Sequence, residues 1–140
     1  MILLDTNVLS ELMRDAPDVA VIRWLDRQAR SSVWTTAVNV FENRSGLLAM
    51  PEGRRRTLRI GIFERILSEA IQSRIASFDH AAAEFAAELT ADGLKKGRPR
   101  DARDTMIAGI VLANHATLAT RNVKHFEDIA KSVVNPWEAT

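Results

Sequence analysis

The apolar stretch Ile2-Leu3-Leu4 runs straight into Asp5-Thr6-Asn7, and no other juncture in the chain constrains its fold as much. A short continuous apolar run reads as a strand covered on both faces, the kind found inside a parallel sheet. A carboxylate at its end, followed at once by Thr and Asn, reads as a helix N-cap. The strand therefore turns directly into a helix. In open sheets built this way, ligands lie beyond the carboxyl ends of the strands, and Asp5 stands at such an end.

The rest of the chain continues the alternation. The first helix is expected from about Thr6 to Met13, broken by Asp15-Ala16-Pro17, and Val19, Ile22, Trp24 and Leu25 then form a rough helical stripe. Residues 32–36 and 73–78 read as strands, with helical spacing across 37–50 and, after Pro51-Glu52-Gly53, an amphipathic helix carrying Leu58, Ile62, Ile66 and Leu67. Asp79 caps a helix expected over 81–94, Lys95 to Arg100 forms a basic loop, and Asp101 caps a helix over 102–113. Short strands are expected at 117–120 and at Val133-Val134. The reading is α/β: a central parallel sheet flanked by helices on both faces.

A chain of 140 residues, 46% of them hydrophobic, is long enough for one core and too short to suggest two, so residues 1–140 are expected to form a single domain. A net charge of +1 neither demands nor excludes a nucleic-acid partner. The absence of cysteine removes disulfides, thiolate zinc sites and thiol nucleophiles, and suits a reducing cytoplasm. The N-terminal apolar run meets an acid too soon to be a signal peptide or a membrane span.

Three acids stand out, and each also has an ordinary structural explanation. Asp5 can be a plain N-cap. Glu42 lies at helical spacing from Val38, Phe41, Ser45 and Leu48, an apolar setting in which a carboxylate needs a partner, whether Arg44 or another cation. Asp104 falls in the first turn after Asp101, where a negative charge complements the helix dipole. Gathered at one sheet edge, the three would repel one another. Their pKa values would then rise, or a divalent cation would neutralise them, and an all-oxygen donor set suits Mg²⁺ or Mn²⁺.

Several segments, in order and spacing, carry a family likeness: Met1 to Glu11, Glu42 with Arg44, Gly46 and Leu47, Gly97-Arg98-Pro99, Asp104 followed by Ile107-Ala108, Leu118 to Lys124, and Asn135-Pro136-Trp137. The chain resembles the PIN-domain toxins, the VapC and FitB-like ribonucleases, almost end to end. The resemblance implies a PIN-like fold in which Asp5, Glu42 and Asp104 are catalytic and hold Mg²⁺ (or Mn²⁺) for RNA cleavage. It also implies a cognate antitoxin and a homodimer that assembles further with it. Thr6 would support the first acid, and Asn122 occupies the place of a fourth acid in many relatives, where an amide can still hold a metal-bound water. His125 replaces a customary Asp and is read as an exposed loop histidine, and Ser45 replaces a customary aromatic.

Lys95, Lys96, Arg98, Arg100 and Arg103 precede Asp104 and, with Arg121, are candidates for contact with an RNA backbone; a solvated loop is the alternative. Arg54, Arg55, Arg56 and Arg59 read as the exposed start of a helix that could dock an acidic partner, and Trp24, Trp34 and Trp137 as packing residues. The expected function is a metal-dependent endoribonuclease that cleaves single-stranded or looped RNA, the toxin of a type II toxin–antitoxin pair. Two rivals are a PIN-fold module that binds RNA or antitoxin without cleaving, for which Asn122 is the support, and a phosphohydrolase of small esters. The second rival is weakened because Asp5-Thr6-Asn7 lacks an Asp two residues after the first.

Overall fold

The structure is a computed structural model and describes residues 1–126, 128 and 132–139. Strand β1 (Ile2–Leu4) lies at the centre of a five-stranded sheet. On one side it pairs with β2 (Val33–Thr36) and then β3 (Ile75–Ala76), on the other with β4 (Thr117–Ala119) and then β5 (Val133–Val134), every pairing parallel. The order β3-β2-β1-β4-β5 reverses direction between β1 and β4, the switch point at which a crevice opens beyond the strand ends.

The register sets Leu4 beside Thr35 on one side and Ala119 on the other. One residue further along, Asp5, Thr36 and Thr120 therefore emerge side by side.

Adjacent strand residues point to opposite faces, and β1 shows the consequence most clearly. Leu3, fully buried, joins a core with Ile107, Ile110, Val111, Ala82 and Phe126. Leu4, also fully buried, joins a second core with Val8, Leu9, Val21, Phe63 and Ile71. The first core lies under α5 (His80–Lys95) and α6 (Ala102–Ala113), the second under α1 (Thr6–Leu12), α2 (Val19–Asp26), α3 (Ala37–Leu48) and α4 (Arg54–Arg65). Helices thus cover both faces, as the unbroken apolar run of β1 required.

The expected elements are present with three differences. The strand expected over 73–78 pairs only at Ile75 and Ala76, because α4 continues as a π-helical turn over Ile66–Ala70 and the chain passes Gln72 and Ser73 with positive φ before it can extend. Lys95 belongs to α5 rather than to the basic loop. A short helix α7 (Val123–Phe126) follows β4, anchored by Phe126 at 1% exposure; its four residues are too few to show a helical period.

Candidate functional site

Asp5 caps α1, its carboxylate buried to 5% exposure. Oδ1 accepts hydrogen bonds from the Thr6 backbone N–H (2.8 Å) and from Asn39 Nδ2 (2.8 Å), and Oδ2 accepts from Thr120 Oγ1 (2.6 Å). Of the roughly four acceptor directions of a carboxylate, three are taken and one on Oδ2 remains. Asp5 is thus an N-cap and also the centre of a polar network.

The network reaches Glu42 through Thr6. Asn39 Nδ2 also donates to Thr6 Oγ1 (3.0 Å), which in turn donates to Glu42 Oε1 (3.0 Å). Asn39 itself is fully buried, and its Oδ1 accepts from Thr36 Oγ1 (2.6 Å), the residue whose oxygen caps α3. Thr120 Oγ1 also accepts the Asn122 backbone N–H (3.0 Å).

Thr6 meets Asp5 only through its backbone N–H and turns its hydroxyl to Glu42 instead, while Asn39 and Thr120, which the sequence did not single out, hold Asp5 through their side chains. The available signals were the position of Asn39 three residues before Glu42, on the same helix face, and the place of Thr120 at the end of β4, matching Asp5 at the end of β1.

Arg44 does not neutralise Glu42. It turns away to pair with Glu64 and lies over the Phe63 ring. The cation near Glu42 comes instead from α6, with Arg103 Nη1 3.7 Å from Oε2. The apolar setting expected around Glu42 is also only partial: Phe41 and Leu48 are 55% and 51% exposed, and the buried stripe of α3 is Val38, Asn39, Asn43 and Leu47.

Burial pushes the Glu42 carboxyl above the usual carboxylate range; the Thr6 hydrogen bond and Arg103 oppose this, while Asp5 and Asp104 add to it. Burial likewise raises Asp104, with Asp101 and Asp5 adding repulsion and His125 opposing.

Asp5, Glu42 and Asp104 line one cleft of about 580 Å³, together with Thr6, Asn7, Arg59, Arg121, Asn122 and Trp137. His125 is exposed, as expected, but it sits on α7 rather than in a loop, with Nδ1 3.5 Å from Asp104 Oδ2. The basic candidates divide. Arg121 lines the cleft and Arg103 reaches Glu42. Lys96 and Arg100 are drawn into ion pairs with Asp92, and Arg100 also with Asp128. Lys96, Arg98 and Arg100 line a separate pocket of about 260 Å³, and Lys95 is exposed at the end of α5.

In the arginine run, Arg54 and Arg55 are exposed and Arg56 approaches Glu52 (3.8 Å), while Arg59 faces the cleft. Trp24 is core and Trp34, on β2, packs against the core under α5 and α6, but Trp137 also forms cleft wall.

Among the described residues no three His, Cys, Asp or Glu side chains close into a ready metal cage. The donor set still fits a hard divalent cation. Mg²⁺ keeps several of its waters and needs only one or two carboxylates from the protein, and here an open acidic cleft offers mutually repelling oxygens.

A cleft of acids at the switch point of a five-stranded parallel sheet narrows the families considerably, and the model of one of them, described as PIN domain, matches residues 2–132. The chain belongs to the PIN-domain family. A relative named VapC ribonuclease Y4jK, from Sinorhizobium fredii, is 38% identical over 99% of both chains. Another, named Toxin FitB, from Neisseria gonorrhoeae, is 32% identical over 98% of this chain and 99% of the relative. The crystal structure of FitAcB from Neisseria gonorrhoeae superposes with a TM-score of 0.82 at 33% identity, covering 99% of this chain and 100% of that one. The PIN fold expected from the sequence is thus the fold observed. Among the described residues, no helix of this PIN-domain chain is long and apolar enough to cross a membrane.

Proposed function

We propose that this PIN-domain chain is a metal-dependent endoribonuclease acting as the toxin of a type II toxin–antitoxin pair. The observation that carries the reading is the convergence of Asp5, Glu42 and Asp104 on one cleft whose rim holds Arg59 and Arg121. A relative named as a ribonuclease and another named as a toxin, both matched almost end to end, support the same reading.

Asp5, Glu42 and Asp104 would hold the ion, Mg²⁺ or Mn²⁺, which when bound would supply a nucleophile at neutral pH and charge stabilisation at the phosphodiester. The Asp5 carboxylate is oriented for this by Asn39 and Thr120. Thr6 fixes Glu42. Asn122 offers an amide to a water beside the ion without adding negative charge. Arg103, already near Glu42, and Arg59 in the cleft lining receive the RNA phosphates.

The chemistry of the cleft also accounts for an inhibitor. An antitoxin arginine placed against these carboxylates would form a charge-assisted pair in the position of the metal. Exposed Phe41, Leu48 and Leu58 on α3 and α4 and Phe85 on α5 offer apolar surface to that partner and to a second copy of the chain in a homodimer.

Purified protein incubated with RNA and Mn²⁺, with products mapped at nucleotide resolution and folded Asp5→Asn as control, tests the reading. Discrete cuts that vanish in Asp5→Asn are expected. Intact RNA, or the same cuts from Asp5→Asn, would overturn it. Separately, the product of the neighbouring gene should co-purify and relieve toxicity; if it does neither, the toxin–antitoxin assignment is wrong even where the nuclease stands.

A further inference from the structure

The acids occupy the floor of the cleft, but one wall has no part in holding a metal. There the Arg121 guanidinium lies over the Trp137 ring, its central carbon 4.8 Å from the ring centroid, and both side chains line the cleft beside Asp5, Glu42 and Asp104. The pair is fixed from behind. The Arg121 backbone N–H donates to Asn7 Oδ1 (3.1 Å), the Trp137 backbone N–H donates to Asn135 Oδ1 (2.9 Å), and Trp137 packs against the core that contains Leu4.

Among the described residues Arg121 makes no ion pair, unlike Arg14, Arg44 and Arg100. A cation needed only for stability would gain by facing a carboxylate; this one lies over an aromatic ring in the lining of a polar cleft.

Planar groups of this kind, guanidinium and indole, are what unpaired nucleobases stack on. In a duplex the bases are already stacked within the helix and cannot reach such a surface. We propose that Arg121 backed by Trp137 is a stacking plate for an unpaired base adjoining the phosphate at the acids. The inference takes the identity of its ligand from the ribonuclease reading, but it concerns binding, which can be measured without cleavage.

The test uses the full chain in EDTA, where no metal-dependent cut occurs. The probes are a short single-stranded RNA, its duplex, and an abasic ribose-phosphate oligomer of the same length. Single-stranded RNA is expected to quench tryptophan emission, and that component should disappear in Trp137→Phe. Arg121→Lys keeps the charge at an exposed position, so its folding is secure; it should weaken single-strand binding by at least about fivefold while leaving abasic binding nearly unchanged. The duplex should compete poorly.

Equal losses for the base-bearing and abasic strands would reduce Arg121 to a charge contact and overturn the plate. So would quenching that survives in Trp137→Phe, or a duplex that binds as well as the single strand. Adding Mn²⁺ to the unmodified protein separates the two readings. RNA that quenches but stays intact keeps the plate and removes the ribonuclease, whereas RNA that is cut without discriminating between strands does the reverse.

Discussion

Asn39 shows how much of this site rests on a neutral side chain. It is fully buried, with one amide arm donating to Asp5 and Thr6 and the other accepting from Thr36. Asn39→Ala would leave the buried Thr36 hydroxyl without its acceptor and remove one of the three donors to the Asp5 carboxylate. A loss of about 1–3 kcal/mol is expected, measured by urea unfolding, with weaker Mn²⁺ binding by calorimetry.

Glu42 and Asp104 act in the opposite sense. Their folded pKa values are raised, so they favour the folded state while protonated, and that contribution is lost as pH rises through the folded values. Without metal, stability should therefore increase as pH falls from neutral towards those values. Glu42→Gln and Asp104→Asn should raise the neutral-pH Tm of the apo protein, an exchange of function for stability seen by thermal melts. Mn²⁺ should raise the Tm of the unmodified chain and leave a folded Asp5→Asn/Asp104→Asn double variant where it was; an equal rise in both would place the ion elsewhere.

At the scale of elements, α6 is the part most tightly committed. Its N-terminus is capped by Asp101, whose Oδ1 accepts the Asp104 backbone N–H at 3.0 Å, so the cap that starts the helix also fixes where Asp104 stands. Its middle packs on α5 so closely that a Cβ at Gly109 would lie 2.5 Å from the Ala82 carbonyl oxygen and 3.1 Å from Ala86 Cβ. Gly109→Ala cannot be relieved by rotating a side chain, because the obstacle is backbone. It should cost about 1–3 kcal/mol despite the better helix propensity of alanine, read as a lower urea midpoint with an unchanged m-value. By shifting α6 it should also weaken metal binding, although Gly109 touches no acid.

For the molecule as a whole, a formal charge of +1 hides a division between an acidic cleft floor and a basic rim. Of the cations that line the cleft, Arg14 is paired with Glu11, whereas Arg59 and Arg121 have no ion-pair partner among the described residues. Single-stranded RNA should therefore bind with a shallow salt dependence, a log–log slope of roughly −1 to −2, as expected for releasing counterions from about two phosphates. A slope several times steeper would mean that the separate pocket of Lys96, Arg98 and Arg100 also engages the strand.

Much of this was legible in the sequence because it is encoded by near neighbours. An apolar run that stops at an acid determines a buried strand, its direction and the helix cap that follows, so β1, Asp5 and the opening of the site could be read from seven residues. Asp101 likewise announced α6 and the position of Asp104. The tertiary structure decided how distant residues combine. The parallel register of β1 with β2 and β4 brings Thr36 and Thr120 level with Asp5, and only that juxtaposition turns Asn39 from a polar residue in a first helical turn into the buried link between two acids. It also gave Glu42 its cation from α6 rather than from the nearby Arg44, and set Trp137, from beyond β5, beneath Arg121, from beyond β4. Local pattern specifies hydrogen bonds and packing along one element, whereas the partner of a buried polar group is whatever the sheet order carries to it.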